Sequence, residues 1–372
     1  MSSENFLEKL LDGVAVEWKA LGTVIKTVTA PSKLNSHAYR ATGRLPIIDQ
    51  GIDFIAGYSD EDIAPVGAGE YIVFGDHSEH IKYVDFPFVQ GADGLKILSP
   101  ISANAKYIYH AFLNFYTKEL SYKRHWSTAQ QTLIPIPSPD DPKKSLEIQT
   151  EIVRILDAFA ELTAELTAEL TARKKQYNHY RDQLLSFEQG EVQWKTLGDL
   201  CSIGVGQAPV GNEIGEYAFV NAGTTPSGYV AVYNTEPNTI TTPSRGQGGN
   251  GYVGYQTTRF WCGPLCYRIR STSEMLSTRF LYHVMANSMK DIVGLANMTG
   301  VPALNKKELV GFPVPIPPPA EQERIVAILD KFDSLTNSIT EGLPREIELR
   351  QKQYAYYRDL LLSFPKTEEI EA

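Results

Sequence analysis

One twelve-residue block occurs twice in this chain. Residues 176–187 read QYNHYRDQLLSF, and residues 353–364 read QYAYYRDLLLSF. Each copy ends a segment whose apolar residues are spaced three or four apart, as in an amphipathic helix. A repeat of this length indicates two copies of one structural frame, and it decides how the rest of the sequence is interpreted.

Three further blocks recur in the same order before it. They pair as EWKALG at 17–22 with QWKTLG at 193–198, PIPSP at 135–139 with PIPPP at 315–319, and IVRILDAF at 152–159 with IVAILDKF at 325–332. Between the blocks, residues 23–130 and 199–310 share little sequence. We infer a duplicated frame that carries two unlike inserts. A frame kept twice predicts two equivalent attachments, whereas unlike inserts predict that each half recognises something different.

A long helix is predicted for residues 146–187, with Ser145 as its N-cap. Inside it, the four-residue unit TAEL occurs at 163–166 and again at 167–170. These units consist of good helix formers, which is a sufficient explanation for their presence. Alternatively, they form a spacer that sets a length. The sequence leaves both interpretations open.

The second helical segment begins at Pro319 and contains Gly342-Leu343-Pro344. An interior proline costs about 3 kcal/mol in a helix, so we expect the helix to break here and to resume at Pro344. The inserts mix strand-like and helix-like segments, which makes α/β the expected fold class. Strands are predicted at 71–74, 218–220 and 229–233, and helices at 101–120 and 276–292.

The composition is typical of a soluble globular protein. The chain has 372 residues, 42% of them hydrophobic, which is enough for two or three domains with their own cores. No apolar run approaches the ~20 residues of a membrane helix, and the N-terminal sequence lacks the features of a secretory signal. The three cysteines are too few for a disulfide framework. We therefore expect a reduced, cytoplasmic protein.

Two segments superficially match cofactor-binding or catalytic motifs. Gly246–Gly251 (GQGGNG) fits the dinucleotide fingerprint GxGxxG, but that fingerprint needs a helix after it, and a strand-like segment follows here. A loop whose backbone approaches a partner, or a plain turn, is the better interpretation. Pro139–Lys143 (PDDPK) carries its acidic pair and lysine on one connector, whereas metal-dependent nucleases bring such groups together from separate elements.

Other catalytic motifs do not occur in the sequence. It contains no Walker lysine loop, no nucleophile elbow and no Asn-Pro-Pro-Tyr motif of amino-methylases. Nucleophile, base and metal ligands are therefore unassigned. We expect that the chain is not an enzyme by itself and holds no metal ion.

Polar, basic and aromatic side chains cluster in loop-like parts of both inserts. Arg, Asn and Gln hydrogen-bond base edges in pairs, although any one of them is more often a solvated surface residue. The net charge of −9 argues against a nucleic-acid binder, but residues 189–319 contain slightly more basic than acidic side chains. The candidate DNA contacts are Arg40, Arg44, His77, His80 and Lys82 in the first insert, and Arg245, Gln247, Asn250, Tyr252, Gln256 and Arg259 in the second.

In this arrangement the chain resembles the specificity subunit of type I restriction–modification systems. The resemblance covers nearly the whole chain and rests on the duplicated frame, the unlike inserts, and the blocks RDQLLSF at 181–187 and RDLLLSF at 358–364. The tandem TAEL units resemble the IC branch of that family. The resemblance implies two α/β target recognition domains, each reading one half of a split DNA site, and two long antiparallel spacer helices that form a coiled coil.

The resemblance also implies domain limits and partners. It places the first recognition domain at 1–140, the central spacer helix at 141–188, the second recognition domain at 189–318 and the C-terminal spacer helix, broken near Gly342–Pro344, at 319–372. Modification subunits that bind S-adenosylmethionine and methylate adenine are expected to dock on the helices. Restriction subunits are expected to use ATP and Mg²⁺ to translocate and cut double-stranded DNA, while this chain binds no cofactor. The docking candidates are Tyr177, Tyr180, Arg181, Tyr354, Tyr357 and Arg358.

Two other classes of protein are compatible with parts of the sequence. A pseudo-dimeric scaffold would join two proteins without touching DNA; the repeated helices permit it, but a symmetric scaffold does not need two unlike inserts. A solitary methyltransferase would need the catalytic motifs that the sequence lacks. Partner subunits that clamp the DNA would account for the acidic net charge under the preferred interpretation.

Overall fold

The computed structural model of the chain describes residues 13–188, 190–209, 211, 214–246, 248–338 and 340–364. The chain forms two compact units. The first contains the residues up to Glu165 and those from Ile347 onward, and the second contains Leu166–Glu346. Each unit therefore combines one insert with parts of both helical segments.

The first half of the chain consists mainly of short strands. In chain order its elements are β1 (Val16–Ala20), α1 (Leu21–Val24), β2 (Ile25–Val28), β3 (Leu45–Ile48), β4 (Gly57–Ser59), β5 (Tyr71–Gly75), β6 (Ile81–Val84), β7 (Val89–Gln90), β8 (Leu95–Pro100), α2 (Ala105–Phe115), α3 (Trp126–Ala129), β9 (Leu133–Pro137) and α4 (Pro142–Leu184). A four-stranded antiparallel sheet has the order β2-β8-β5-β6, and a three-stranded sheet has the order β4-β3-β7 with β3 and β7 parallel. β1 and β9 form a two-stranded ribbon.

The second half repeats this topology strand for strand. Its elements are β10 (Gln193–Thr196), α5 (Leu197–Leu200), β11 (Cys201–Val205), β12 (Tyr217–Val220), β13 (Gly228–Val230), β14 (Thr239–Pro243), β15 (Gly254–Gln256), β16 (Phe260–Cys262), β17 (Cys266–Ser271), α6 (Thr278–Asn287), α7 (Met289–Gly294), α8 (Lys306–Val310), β18 (Pro313–Ile316), α9 (Pro319–Asn337) and α10 (Gly342–Leu361). Its sheets have the orders β11-β17-β14-β15, β13-β12-β16 and β10-β18. The predicted fold class, two α/β domains with long helical segments, is confirmed.

In each half, the repeated block that contains tryptophan pairs with the repeated block that is rich in proline. These blocks are EWKALG and PIPSP in the first half, and QWKTLG and PIPPP in the second. In β1 and β9, Trp18 lies opposite Pro135, and in β10 and β18, Trp194 lies opposite Pro315. Proline lacks the N–H that an inner strand donates, so prolines within sheets are confined to edges. A two-stranded ribbon consists of edge strands alone. Two of the repeated sequence blocks therefore recur together because they form a single structural element.

The block IVRILDAF at 152–159 and its repeat IVAILDKF at 325–332, called the helical blocks, each supply apolar residues to the core of one unit. Ile152 and Leu156 of α4 are fully buried in the first unit, and Ile325 and Leu329 of α9 are fully buried in the second. Burial of each such side chain contributes about 1.5–3 kcal/mol. The repeated spacing in the sequence thus corresponds to equal positions in two cores.

The twelve-residue block closes the core of the opposite half. Leu361, Leu362 and Phe364, which come at the end of the second helical segment, are buried in the core of the first unit. Leu184 and Phe187, which come at the end of the first helical segment, pack against the core of the second unit. Each core is therefore completed by a segment that follows the other insert.

α4 begins before the predicted start, at Pro142. The carboxylate of Asp141 accepts hydrogen bonds from the backbone N–H groups of Lys143 and Lys144, both at 3.1 Å, which is the contact that an N-cap makes. Ser145 is buried inside the helix, and its hydroxyl oxygen accepts a hydrogen bond from the Gln149 amide at 2.9 Å. The prediction of Ser145 as the cap is wrong, because Asp141 followed by proline already provides a helix start.

The second helical segment is interrupted before Gly342, and it resumes there rather than at Pro344. α9 ends at Asn337, and α10 begins at Gly342, whose φ is +76°. A Cβ atom at Gly342 would lie 2.5 Å from the Ser334 carbonyl oxygen, so this left-handed position requires glycine. Pro344 lies in the first turn of α10, where the absence of a backbone N–H breaks no helical hydrogen bond.

The strands predicted in the inserts are present with altered limits. Residues 71–74 form most of β5 and residues 218–220 most of β12, as their β-branched and aromatic side chains indicate. The strand predicted at 229–233 ends at Val230, because its partner β12 begins with Tyr217, which lies opposite Val230. The end of this strand is thus set by its pairing partner, which the β-propensity of its own residues does not indicate.

Both helices predicted in the inserts are shorter than expected. The helix predicted for 101–120 is α2, since the Asn104 carboxamide oxygen caps it by accepting the Tyr107 N–H at 3.0 Å. The helix predicted for 276–292 is divided at Ser288 into α6 and α7. None of the helices in the described part of the chain is both long and apolar enough to cross a membrane.

We predict that Ile152→Ala and Ile325→Ala destabilise the protein to a similar degree. Each substitution empties an equivalent, fully buried core position, for which a loss of about 2–5 kcal/mol in the free energy of unfolding is typical. Chemical denaturation followed by circular dichroism measures this loss. Leu146→Ala, on the exposed face of α4, is the matched control and should cost at most about 0.5 kcal/mol. An equally small loss for either isoleucine variant would contradict the assignment of these positions to the cores.

Candidate nucleic-acid interface

Lys82, predicted as a DNA contact, is a buried residue of β6. Its ammonium donates hydrogen bonds to the carbonyl oxygens of Asp49 at 2.8 Å and Asp53 at 2.6 Å, and 6% of its side chain is exposed. Burial lowers the pKa of Lys82, while the carboxylates of Asp49 and Asp53 oppose this shift. Lys82 therefore holds the loop at 49–53 in place. The prediction is corrected, because a buried ammonium bound to two carbonyls is not accessible to a phosphate.

His77 and His80 contact the same loop through Gln50. The backbone N–H of His77 donates to the Gln50 Oε1 at 3.2 Å, and Nδ1 of His80 lies 3.2 Å from the Gln50 carbonyl oxygen. The ring of His77 also stacks on Tyr122, with ring centroids 5.5 Å apart and planes inclined by 20°. The structure thus places His77 beside a second loop, at 117–124, which the sequence analysis missed.

The loop at 117–124 has the composition of a nucleic-acid contact. Its sequence, TKELSYKR, is exposed throughout, and Tyr122 is 93% exposed. Basic side chains contact phosphates, and aromatic rings stack on bases. The close spacing of Lys118, Lys123 and Arg124 around a tyrosine is the sequence signal that identifies this loop.

A buried carboxylate anchors the loop at 117–124. Glu79 is 2% exposed and has a left-handed backbone, with φ +55°. It accepts hydrogen bonds from the Tyr116 hydroxyl at 2.6 Å and from the backbone N–H groups of Glu119 at 2.9 Å and Leu120 at 2.8 Å. Burial alone would raise the pKa of Glu79, but these hydrogen bonds and the neighbouring His125 outweigh burial and lower it. The ionised carboxylate therefore ties the loop to the turn between β5 and β6.

Arg40 and Arg44 lie in a different part of the first domain, next to β4. The backbones of Arg40 and Tyr58 exchange two hydrogen bonds, at 3.0 and 2.9 Å. The backbone N–H of Arg44 donates to the Asp60 carboxylate at 2.8 Å, and its guanidinium lies 3.4 Å from the Glu61 carbonyl oxygen. Both arginines are exposed. The candidates in this domain thus form two groups, one beside β4 and one beside the turn between β5 and β6.

In the second domain, Arg245 and Asn250 lie along the segment at 297–303. Arg245 is exposed and forms an isolated bridge with Ala303. The Asn250 Nδ2 lies 3.7 Å from the sulfur of Met298, and Met298 itself is 60% exposed. The segment at 297–303 therefore belongs to the same surface, although its sequence carries no pattern typical of DNA recognition.

Residues 248–251 of the glycine-rich run form a turn. A Cβ atom at Gly249 would lie 2.1 Å from the Ala222 carbonyl oxygen, so close backbone packing requires glycine at this position. The strand β15 follows the turn, whereas a dinucleotide fingerprint needs a helix at this place. Gln247 lies outside the described residues.

Arg259 occupies a separate, aromatic part of the second domain. Its guanidinium pairs with the Glu236 carboxylate at 3.1 Å and lies over the Tyr233 ring, 4.7 Å from the centroid. The hydrogen bond that Arg259 donates to the Glu236 carboxylate raises the pKa of Arg259. Half of the Arg259 side chain remains exposed, so one face of the guanidinium can still reach a ligand.

Gln256 and Tyr252 support the second domain from within. The Gln256 Nε2 in β15 donates to the Thr241 hydroxyl of β14 at 3.1 Å, which links two paired strands. The backbone N–H of Tyr252 donates to the Gly249 carbonyl oxygen at 3.0 Å, and burial raises the pKa of the Tyr252 hydroxyl. The described candidates of the second domain are therefore not brought together into one cluster.

Two of the tyrosines proposed for partner docking stack within their own units. The ring of Tyr180 stacks on Phe332, with centroids 5.7 Å apart, and the ring of Tyr357 stacks on Phe159, with centroids 5.0 Å apart. Each pair holds the end of one helical segment against the helical block of the other. Tyr180 keeps 38% of its surface exposed, so part of it remains accessible to another protein.

The remaining docking candidates also have partners inside the chain. Burial raises the pKa values of Tyr177 and Tyr354, and the Tyr354 hydroxyl lies 3.2 Å from Nδ1 of His110. The guanidinium of Arg181 lies over the Tyr177 ring, 5.6 Å from its centroid. Arg181 and Arg358 each form an ion pair with the aspartate that follows in sequence.

A cavity of about 700 Å³ lies beside the end of α4 in the second unit. Its lining includes Tyr180, Leu184, Phe187, Glu321, Arg324 and Phe332. Among the described residues, no group of three or more His, Cys, Asp or Glu side chains is placed to hold a metal ion. The arrangement presents hydrogen-bond donors, aromatic faces and a groove, which are the features of a binding surface.

Comparison with known protein sequences points to one family along the whole chain. The family model described as type I restriction modification DNA specificity domain matches residues 189–349. The chain is 42% identical to the specificity subunit of the type I restriction enzymes EcoR124I and EcoR124II from Escherichia coli, over 100% of both chains. It is 33% identical to the specificity subunit of the type I restriction enzyme EcoprrI, also from Escherichia coli, over 92% of this chain and 93% of that one.

Solved structures share the fold. The crystal structure of a type I restriction–modification S subunit from M. genitalium matches with a TM-score of 0.70 at 18% identity, covering 96% of this chain and 98% of that one. A chain from a structural study of complex assembly in the type I system matches with a TM-score of 0.55 at 16% identity, covering 93% of this chain and 97% of that one. Identities this low bear on the fold alone.

We predict that Glu79→Gln releases the loop at 117–124 while the domain stays folded. The amide offers one acceptor oxygen instead of two, so either the hydrogen bond from the Leu120 N–H or those from the Tyr116 hydroxyl and the Glu119 N–H are lost. Loss of hydrogen bonds to a charged group costs about 1.5–3 kcal/mol. Hydrogen exchange followed by mass spectrometry should show faster exchange in this loop. Glu119→Gln, at the loop surface, is the control, and protection of the loop in Glu79→Gln equal to that in the unaltered protein would show that Glu79 is not its anchor.

Proposed function

Because this chain belongs to the family of type I restriction–modification specificity subunits, we propose that each of its α/β domains reads one half of a bipartite DNA target. The chain supplies DNA sequence specificity and is the non-catalytic subunit of its complex. The observation that carries the proposal is that the two domains share one strand topology but differ in the side chains of their exposed loops. Equal folds with different surfaces are what two unlike half-sites require.

We assign the recognition domains to residues 1–140 and 189–318, and the spacer segments to 141–188 and 319–372. Two helix starts support these limits, since α4 begins at Pro142 and α9 at Pro319. The strand-rich parts of the chain then act on DNA, and the helical parts hold the two reading surfaces at a defined separation.

The proposed contacts in the first domain are its exposed arginines, its two half-buried histidines and the exposed loop at 117–124. Arg40 and Arg44 lie beside β4, while His77, His80 and the loop at 117–124 lie beside the turn between β5 and β6. Their support is the exposure of the arginines and the loop, the partial exposure of the histidines, and a supply of hydrogen-bond donors and basic groups. A bidentate contact from an arginine to a guanine is worth about 1–3 kcal/mol of discrimination.

The proposed contacts in the second domain are Arg245, Asn250 and Arg259, with Gln247 retained from the sequence. Exposure supports both arginines. Tyr252 and the strand residue Gln256 are assigned a supporting role, because their hydrogen bonds lie within the domain.

We propose that modification subunits bind this chain along its helical segments and that restriction subunits join through them. The cavity beside the end of α4 and the accessible part of Tyr180 support a docking surface there. S-adenosylmethionine is then bound by the modification subunit, and ATP and Mg²⁺ by the restriction subunit. Partner subunits also supply phosphate contacts for a chain whose net charge is −9.

Exchange of residues 23–130 for the insert of another family member should change one half-site only. The reason is that the first insert forms its own sheets, while the frame blocks outside it are unchanged. Methylation mapping at base resolution, in cells that carry the complete system, measures both half-sites. The reciprocal exchange of residues 199–310 is the matched control and should change the other half-site. A change in both half-sites after one exchange, or binding without sequence preference, would contradict the proposed function.

Deletion of Thr167–Leu170 should shorten the unspecified gap between the half-sites. α4 is continuous through both TAEL units, and the loss of four residues shortens a helix by about 6 Å and turns it by about 40°. Since base pairs rise ~3.4 Å each, the gap should change by about one to two base pairs, while each half-site keeps its bases.

Methylation mapping of the deletion variant measures this gap. Replacement of the same four residues by four alanines keeps the helix length and is the control, which should retain the original gap. A gap that stays unchanged in the deletion variant would show that α4 does not set the distance.

A further inference from the structure

In both units, polar side chains of matching chemistry connect two helices. One helix lies in the insert (α2 or α6, called the domain helix), and the other belongs to the repeated frame (α4 or α9, called the frame helix). In the second unit, Asp330 of α9 accepts hydrogen bonds from Arg279 of α6 at 2.8 Å and from His283 of α6 at 2.7 Å. In the first unit, Asp157 of α4 accepts a hydrogen bond from Lys106 of α2 at 2.7 Å, and His110 of α2 lies 3.7 Å from the same carboxylate. The two aspartates are also equally exposed, at 37% and 38%.

A second contact recurs farther along the same pairs of helices. The Gln149 Oε1 of α4 accepts the backbone N–H of Asn104, which caps α2, at 2.9 Å. The Gln322 Oε1 of α9 accepts the backbone N–H of Ser277, which caps α6, also at 2.9 Å. Both glutamines are almost fully buried. We call Asn104, Lys106, His110, Gln149 and Asp157 the first clamp, and Ser277, Arg279, His283, Gln322 and Asp330 the second clamp.

Each clamp restricts both sliding and rotation of its helix. The glutamine and the aspartate on the frame helix are eight residues apart, which is about 12 Å along the axis. A domain helix that is hydrogen-bonded to both of these points on the frame helix cannot shift by a turn or pivot about one contact without losing hydrogen bonds. Apolar packing alone would tolerate such movements more readily, because burial is not directional.

The clamps persist in a part of the chain where the two halves otherwise differ. The donors at 104–110 and 277–283 lie inside the inserts, which share little sequence elsewhere. All five positions carry side chains of matching chemistry, with the same offset between the halves. General helix packing does not require a buried glutamine, a histidine and a cation at matched positions.

We propose that the two clamps are positioning devices that fix the angle of each recognition domain on its frame helix and thereby the number of base pairs between the half-sites. The inference rests on the proposed function. Adjacent base pairs differ by ~3.4 Å and by about a tenth of a helical turn. A small change of angle at the base of a domain is therefore enough to move its reading loops to a neighbouring base pair.

The second clamp is the tighter of the two. The His283 ring lies 2.7 Å from its aspartate, against 3.7 Å for His110, and the Arg279 guanidinium also lies over the Tyr255 ring, 4.4 Å from its centroid. Burial opposes the charge of Asp330, but hydrogen bonds from His283 and Arg279 outweigh burial and lower its pKa. Burial lowers the pKa of His110 to about 4, so that ring is neutral near pH 7. Substitution should therefore have the larger effect in the second clamp.

The test uses the full chain in complex with its modification subunits and a series of cognate duplexes whose half-sites are separated by one or two base pairs more or fewer. The unaltered complex should prefer one separation. The measured quantity is the affinity for the preferred separation divided by the affinity for the neighbouring separations. Asp330→Ala should lower this ratio by about tenfold, the factor that ~1.4 kcal/mol produces. Arg279→Lys, which introduces the cation of the first clamp, should retain the preference. Asp157→Ala should have a smaller effect than Asp330→Ala.

Glu323→Ala, at an exposed position of α9, is the matched control and should leave the ratio unchanged. An equal loss of affinity at every separation in Asp330→Ala would overturn the inference, because it would reduce the clamp to a contribution to stability. If Asp330→Ala does not fold by circular dichroism, His283→Leu gives the same comparison with the same criterion. An unaltered complex without any preferred separation would instead overturn the proposed bipartite function, and this inference with it.

Discussion

The structure depends on the burial of apolar helix segments against two strand-rich domains that are open on one side. In the first unit the open side is covered by Ile152 and Leu156 of α4 and by Leu361 at the end of α10. In the second unit α9 and the end of α4 do the same. Because this burial is the main favourable contribution to folding, neither domain completes its core without both helical segments. The duplicated sequence blocks are the residues that meet this requirement twice.

Burial explains why the helices are held but not how they are oriented. The hydrophobic effect follows the area removed from water and is not directional, whereas a hydrogen bond weakens steeply when its angle or distance changes. The contacts of Gln149 and Asp157 in one unit, and of Gln322 and Asp330 in the other, supply that direction. In this view apolar residues provide the stability of each unit, and a small number of polar residues provides its geometry.

A separation between frame and loops suits a specificity subunit. Loops such as 117–124 contribute exposed side chains and are anchored through a buried carboxylate, Glu79, together with their own backbone N–H groups. Their side chains can therefore differ between the halves without loss of core packing. Lys82 illustrates the opposite case, since its charge is used to hold a neighbouring loop and is withdrawn from the surface.

Local and repetitive features could be predicted from the sequence, and contacts between distant residues could not. The internal repeat, the α/β class, the long helix containing the TAEL units and the interruption near Gly342 follow from periodicity, spacing and the conformational limits of glycine and proline. The helix cap at Asp141, the burial of Lys82, the loop held by Glu79, and the tyrosines of the twelve-residue block that pack inward were missed. These depend on contacts such as that between Tyr354 and His110, which are 244 residues apart. Sequence by itself determined which residues recur and which elements they form. Only the tertiary structure decided which charged and aromatic side chains are exposed, because exposure depends on the segments that fold against them.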